Sequence, residues 1–143
     1  MIASLDIVLL FAAVADALAA LLHVGCIVFG APWYRFFGAG ERMVQLALEG
    51  NPYPARVSAA VVVVLLIWTA YALSGAGAIP RLPLLKLGLC TISAVFLLRG
   101  VFGVVLVLVK RVRNPAFWWW SSAVCLGIGA LHLIGTIQVW PRL

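Results

Sequence analysis

Asp16, His23 and Cys26 lie along one apolar stretch of the chain. At 100° per residue, His23 falls about 20° from Asp16 on a helix and Cys26 about 60° further in the same sense. With Ala13, Ala19 and Ala20 on or beside them, they form one small, polar stripe. A carboxylate, an imidazole and a thiol on one face are groups that move protons or bind ligands. A later apolar stretch repeats the device, with Ser121, Cys125, Gly129, His132 and Thr136 on one side. Between the two stands Arg99, in a third stretch that also holds Gly88 and Gly103. An ionisable side chain inside such a stretch marks a functional site by default, because hydrocarbon makes it costly.

A further gathering follows the first stripe. His23 and Cys26 lead into Trp33-Tyr34-Arg35, and Glu41 and Arg42 come after a glycine-flanked turn. Arg35 and Arg42 suit a phosphate or carboxylate. Tyr34 adds a hydroxyl, and His23 or Glu41 a proton-transfer group. The competing reading is an interfacial anchor, which aromatic residues and arginines at a helix end supply without any ligand.

Other chemistries fit less well. A haem held by His23 and His132 needs both ligands near one depth, but helical rise separates them by roughly 12 Å. His23 and Cys26 give two metal ligands where a structural zinc takes four. The three cysteines fall in separate apolar runs with no C-x-x-C, so neither a disulfide framework nor a metal site is expected. No cofactor and no metal are expected. The chain has no H-E-x-x-H, G-x-S-x-G, P-loop or dinucleotide fingerprint, and its four carboxylates stand singly. Whether it is an enzyme stays open.

The elements that position these residues follow from composition. Of 143 residues, 66% are hydrophobic and 10% charged, against about a quarter charged in soluble domains. That excludes an ordinary soluble globule and a disordered chain. Apolar runs at about 7–29, 56–73, 84–109 and 117–139 are each long enough to cross a bilayer. Asp16 and the missing basic start argue against reading the first run as a cleaved signal. Breakers separate the runs: Gly50-Asn51-Pro52-Tyr53-Pro54, Ser74-Gly75-Ala76-Gly77 with Pro80 and Pro83, and Asn114-Pro115. Nothing alternates as a β-barrel strand must. The expected class is an all-α integral membrane protein, a single four-span domain forming a four-helix transmembrane bundle. Between the first two helices lies a short interfacial or re-entrant segment, with a helix from about Gly38 to Gly50. Glu41 would sit in its first turn and Gly50 would stop it.

Ten Lys/Arg against four Asp/Glu give a net charge of +6. No basic helix or RNA-binding motif accompanies it, so anionic lipid headgroups rather than nucleic acid are the expected partners. Arg35, Arg42, Arg56, Lys110, Arg111 and Arg113 flank two loops, against Arg81, Arg142 and Lys86 on the other side. The positive-inside rule then puts both termini outside the cytoplasm of a bacterial-type inner membrane. On this topology Asp16 and Arg99 share the midplane and pair, Asp6 pairs with Lys86, and His132 lies in the outer half. The leading functional expectation is a carrier or accessory subunit that binds a lipid-like or small amphiphilic ligand. Asp16, His23 and Arg99 would be its centre and Tyr34, Arg35 and Glu41 its mouth, with Cys125 and His132 on a secondary polar face. The alternatives are a membrane enzyme acting on a lipid or quinone, and a structural subunit that self-associates or joins a partner through Gly/Ala faces.

Overall fold

The computed structural model describes residues 5–110 and 112–143. Arg111, one cation of the second basic loop, lies outside the described residues. Among the described residues six α-helices follow one another: α1 (Ile7–Phe29), α2 (Ala31–Phe36), α3 (Glu41–Leu48), α4 (Tyr53–Ala76), α5 (Leu85–Val109) and α6 (Pro115–Val139). A 3-10 turn, Trp140–Arg142, ends the chain. The described residues contain no strand. Four helices, α1, α4, α5 and α6, are long and apolar enough to cross a membrane, the make-up of a four-helix transmembrane bundle. Large apolar side chains such as Leu21, Val28, Leu98 and Leu108 stay exposed along them, which suits helices that face lipid.

Helix ends follow local chemistry. Asp6 caps α1, its carboxylate accepting from Leu9 N at 2.8 Å, where the helix dipole also favours negative charge. Helix α4 extends three residues beyond the expected span at each end. Pro54 falls in its first turn, where a missing N–H costs nothing, and Asn51 Oδ1 accepts from Tyr53 N at 2.9 Å. At the other end Ser74, Gly75 and Ala76 continue the helix, and Gly77, at φ 80°, terminates it. Asn114 caps α6 through Phe117 N at 3.2 Å.

The described residues form two compact units: those within 5–16 and 68–143, and residues 17–67. In the first, Leu9, Ala76, Leu85, Leu89 and Val139 make a closed apolar core. Lipid tails are as apolar as leucine, so helices gain from close van der Waals contact rather than from leaving water. Glycines provide that contact. A methyl at Gly135 would stand 2.5 Å from Leu9 Cγ and 3.3 Å from Leu9 N, and one at Gly129 would stand 2.9 Å from Leu97 Cγ. Gly100 and Gly103 of α5 receive Leu126 and Ser122 of α6 in the same way. Asp6 N donates to Ala76 O at 3.0 Å, tying the start of α1 to the end of α4. Asp6 meets Arg142 at 3.8 Å rather than Lys86, whose ammonium sits 5.0 Å from the Trp140 ring centroid. The expected Asp6–Lys86 pair is therefore replaced, because capping α1 turns the carboxylate toward the 3-10 turn.

In the second unit, α2 and α3 lie between the membrane-length helices. Gly30, at φ 69°, breaks the chain out of α1, and Pro32 opens α2. Cys26, Ala31, Tyr34 and Val44 bury one another, with Trp33, Phe37 and Ala47 packed around them. Helix α3 matches the expected short helix, trimmed by Gly40 before it and Gly50 after it, both at positive φ.

The α1–α6 contact carries a test. Gly135→Val should destabilise the protein by about 1–3 kcal/mol, the usual range for overpacking. The change is read as a lower midpoint of thermal unfolding in detergent, and Leu9→Ala should restore part of it. An unchanged midpoint for Gly135→Val would mean that α1 and α6 do not meet there.

Candidate functional site

Within the first unit, α1 and α6 bring together the two most deeply buried titratable groups. Asp16 Oδ2 lies 3.1 Å from His132 Nε2, and both side chains are 0% exposed. Asp16 thus has a partner, but it is His132 and not the expected Arg99. The other ring nitrogen, Nδ1, donates to the Ile128 carbonyl one turn back at 3.0 Å, which fixes the plane of the imidazole. Phe96 of α5 stacks on the imidazole at 5.7 Å between centroids, and Trp68 of α4 meets Phe96 edge-on at 5.1 Å. The pair is close without being saturated. Oδ2 and Nε2 stand off the line of a well-formed hydrogen bond, Asp16 Oδ1 has no partner, and neither does the buried Thr136 Oγ1.

Arg99 occupies a different place, between α5 and α6. Its Nη2 donates to Ser121 Oγ at 2.9 Å, and its guanidinium lies 4.9 Å from the Trp118 ring centroid. Nη1 is buried without a partner, as is Ser122 Oγ. Both crowd against Gly103, where a methyl would stand 3.0 Å from Nη1 and collide with Ser122 Oγ. Among the described residues no carboxylate pairs with Arg99. Cys125, one turn beyond Ser121, lies on the same side of α6, half-buried like Arg99, Trp118 and Ser121. The long arginine stem leans toward the start of α6, so the head reaches toward the membrane surface.

The residues expected at a mouth do not converge. Tyr34 is buried and its hydroxyl bonds to Ser58 Oγ at 3.0 Å, leaving it occupied inside the second unit. Arg35 is exposed in the last turn of α2, where its charge suits the helix dipole. Glu41 is exposed and accepts from Gln45 at 2.8 Å within α3. His23 is half-buried, and its Nδ1 donates to the Ala19 carbonyl at 2.7 Å. Apart from the buried Tyr34, these are the contacts of helix ends and helix surfaces. No group of three or more His, Cys, Asp or Glu converges among the described residues.

The Asp16–His132 pairing was accessible to the depth arithmetic. Counted from the helix ends that share one side, Asp16 lies about 14 Å in, His132 about 11 Å in and Arg99 about 21 Å in. Placing Asp16 and Arg99 at a common midplane hid that ordering. Ser122 and Thr136 carried no signal beyond their position on the polar face of α6. No family model, curated protein or solved structure matches this chain, so the chemistry of the site is read from its own geometry.

A double-mutant cycle separates the two arrangements. His132→Leu alone should cost about 3–5 kcal/mol, because it leaves Asp16 buried and unpaired. Asp16→Leu with His132→Leu should recover most of that loss. Asp16→Leu and Arg99→Leu should add to within about 0.5 kcal/mol, as independent sites do. Thermal unfolding in detergent reads all of these. A coupling of Asp16 to Arg99 larger than its coupling to His132 would contradict the geometry.

Proposed function

We propose that the chain is a small multi-pass protein of a bacterial-type inner membrane that binds a lipid-like or small amphiphilic molecule with an acidic headgroup. It would act as a carrier or accessory subunit. The observation that supports this reading is Arg99. Its guanidinium lies at membrane depth beside two serine hydroxyls, with one nitrogen unpartnered and no carboxylate paired to it among the described residues. The aspartates of its own unit are engaged elsewhere, Asp16 with His132 and Asp6 with the start of α1.

An uncompensated arginine among apolar side chains is costly, and unlike a lysine it does not lose its proton. A carboxylate or phosphate relieves that cost by accepting two parallel N–H bonds in the plane of the guanidinium. Trp118 supports one face of that plane. The half-buried rim lets such a group enter from the lipid side, and exposed Leu98 and Phe102 on α5 offer apolar surface for a hydrocarbon tail. In this reading the connection between α5 and α6, with Lys110 and Arg113, faces the cytoplasm, and both termini lie outside. Anionic lipids of the cytoplasmic leaflet then supply headgroups on the matching side.

Native mass spectrometry from mild detergent tests the proposal, with phosphatidylglycerol and phosphatidylcholine as added probes. Wild type should retain an acidic amphiphile or take up phosphatidylglycerol in preference to phosphatidylcholine. Arg99→Leu should weaken that uptake about ten- to a hundredfold, the equivalent of a charge-assisted hydrogen bond of about 1.5–3 kcal/mol. Arg99→Lys keeps the charge and loses the fork, and should fall between the two. A wild-type protein that carries no adduct and takes up neither lipid sinks the idea, as does equal uptake by folded Arg99→Leu.

A further inference from the structure

The Asp16–His132 pair has a property that a structural tie does not require. A carbonyl oxygen accepts hydrogen bonds and cannot donate, so His132 Nδ1, 3.0 Å from Ile128 O, carries a proton in every state that keeps that bond. The remaining nitrogen, Nε2, faces Asp16 Oδ2 at 3.1 Å. Between these two atoms the pair can hold one further proton. It sits on Asp16 as a carboxylic acid facing a neutral imidazole, or on Nε2 as an imidazolium facing a carboxylate. Both arrangements are neutral overall, so the membrane interior admits either one.

Proton transfer within the pair breaks the Asp16 O–H bond and forms the His132 N–H bond, with no other group changed. Loss of that proton to water leaves the carboxylate beside a neutral imidazole, and uptake of a proton from water restores the neutral pair. The groups that face it from each packed helix are few. Helix α5 presents Phe96 to the imidazole, and α4 presents Trp68 to Phe96. Arg99, three residues beyond Phe96, is held by Ser121 and Trp118. Helix α6 adds the buried Thr136 hydroxyl one turn beyond His132, and α1 adds the second carboxylate oxygen. Neither of these has a protein partner. A carboxylate that serves only to fix register is saturated by donors, since each open lone pair in the interior adds cost. Here Oδ1 has no partner and Oδ2 only the off-line approach of Nε2, on a residue that is 0% exposed.

We infer that Asp16 and His132 form a membrane-embedded proton-binding site that holds one exchangeable proton between Asp16 Oδ2 and His132 Nε2 and releases it while the protein stays folded. The inference is independent of ligand binding at Arg99.

The chain has two aspartates and two histidines, so isotope labelling tests the site without touching it. Asp6→Asn preserves the cap on α1, because asparagine caps as well as aspartate, and leaves Asp16 as the only labelled aspartate. His23→Gln leaves His132 as the only labelled histidine. In lipid nanodiscs, infrared spectra of 13C-aspartate protein and nitrogen NMR of 15N-histidine protein are followed across pH and after transfer to D2O. The proton of the pair, on Asp16 or on His132 Nε2, should exchange fully in D2O while the amide protons of α5 remain protected. Titration should remove a single proton from the pair, read as loss of either the Asp16 carboxylic-acid band or the His132 Nε2–H signal, with Nδ1 protonated throughout. If that proton exchanges only when the α5 amides do, or if neither group changes protonation before the protein unfolds, the pair is a static tie and the inference is wrong. A deprotonated Nδ1 would overturn it equally, by removing the carbonyl constraint.

Discussion

Hydrocarbon does not solvate a carboxylate, and that constraint governs the arrangement of the first unit. Asp16 stands well inside α1, so the chain must bring it something to neutralise it. His132 meets it from α6, with the plane of the imidazole held by Ile128 on one side and Phe96 against its face. The glycine contacts serve the same end. Leu9 seats against Gly135 one turn beyond His132, which sets how closely α1 and α6 approach where the polar pair must meet. Polar chemistry and close packing are thus one problem here, solved on a single pair of helix faces.

The helices themselves were legible. Four apolar runs and their breakers are compositional facts, and lipid leaves the backbone little choice but helix. Their exact ends depended on proline and glycine in context. Pro54 reads as a breaker in sequence but is admitted in a first turn, whereas Gly75 is retained within α4 because Leu9 and Leu89 occupy the space a side chain would need. Helix α2 was hidden because Ala31–Phe36 is too short for periodicity to speak, and the left-handed Gly30 that creates it looks like any glycine.

The polar residues were legible as a set and not as partners. Asp16, Arg99 and His132 each stood out from apolar surroundings, but which of them meet depends on levels only a few ångströms apart and on helix rotation. Charge alone favours Asp16 with Arg99, the strongest opposite pair available. Geometry favours a neutralisable base at a more similar level. Tyr34 illustrates the other direction. Its place among Trp33, Arg35 and Phe36 marked it for an interface, yet its ring fills the core of the second unit and its hydroxyl satisfies Ser58. A tyrosine is amphipathic enough to serve either environment, and only packing decides.

The division of charge between the two polar places is what gives the unit its chemical character. Had Asp16 paired with Arg99, both charges would have cancelled permanently, since a guanidinium does not give up its proton. Pairing Asp16 with a histidine gives a pair that stays neutral with one proton on either partner, and it leaves Arg99 cationic beside Ser121 and Ser122. Helices α5 and α6 therefore keep two polar places apart, with Phe96 and His132 toward one end and Trp118 and Arg99 toward the other. Two separate polar places leave a titratable pair and a cation each in its own surroundings, whereas a single Asp16–Arg99 ion pair would have merged them.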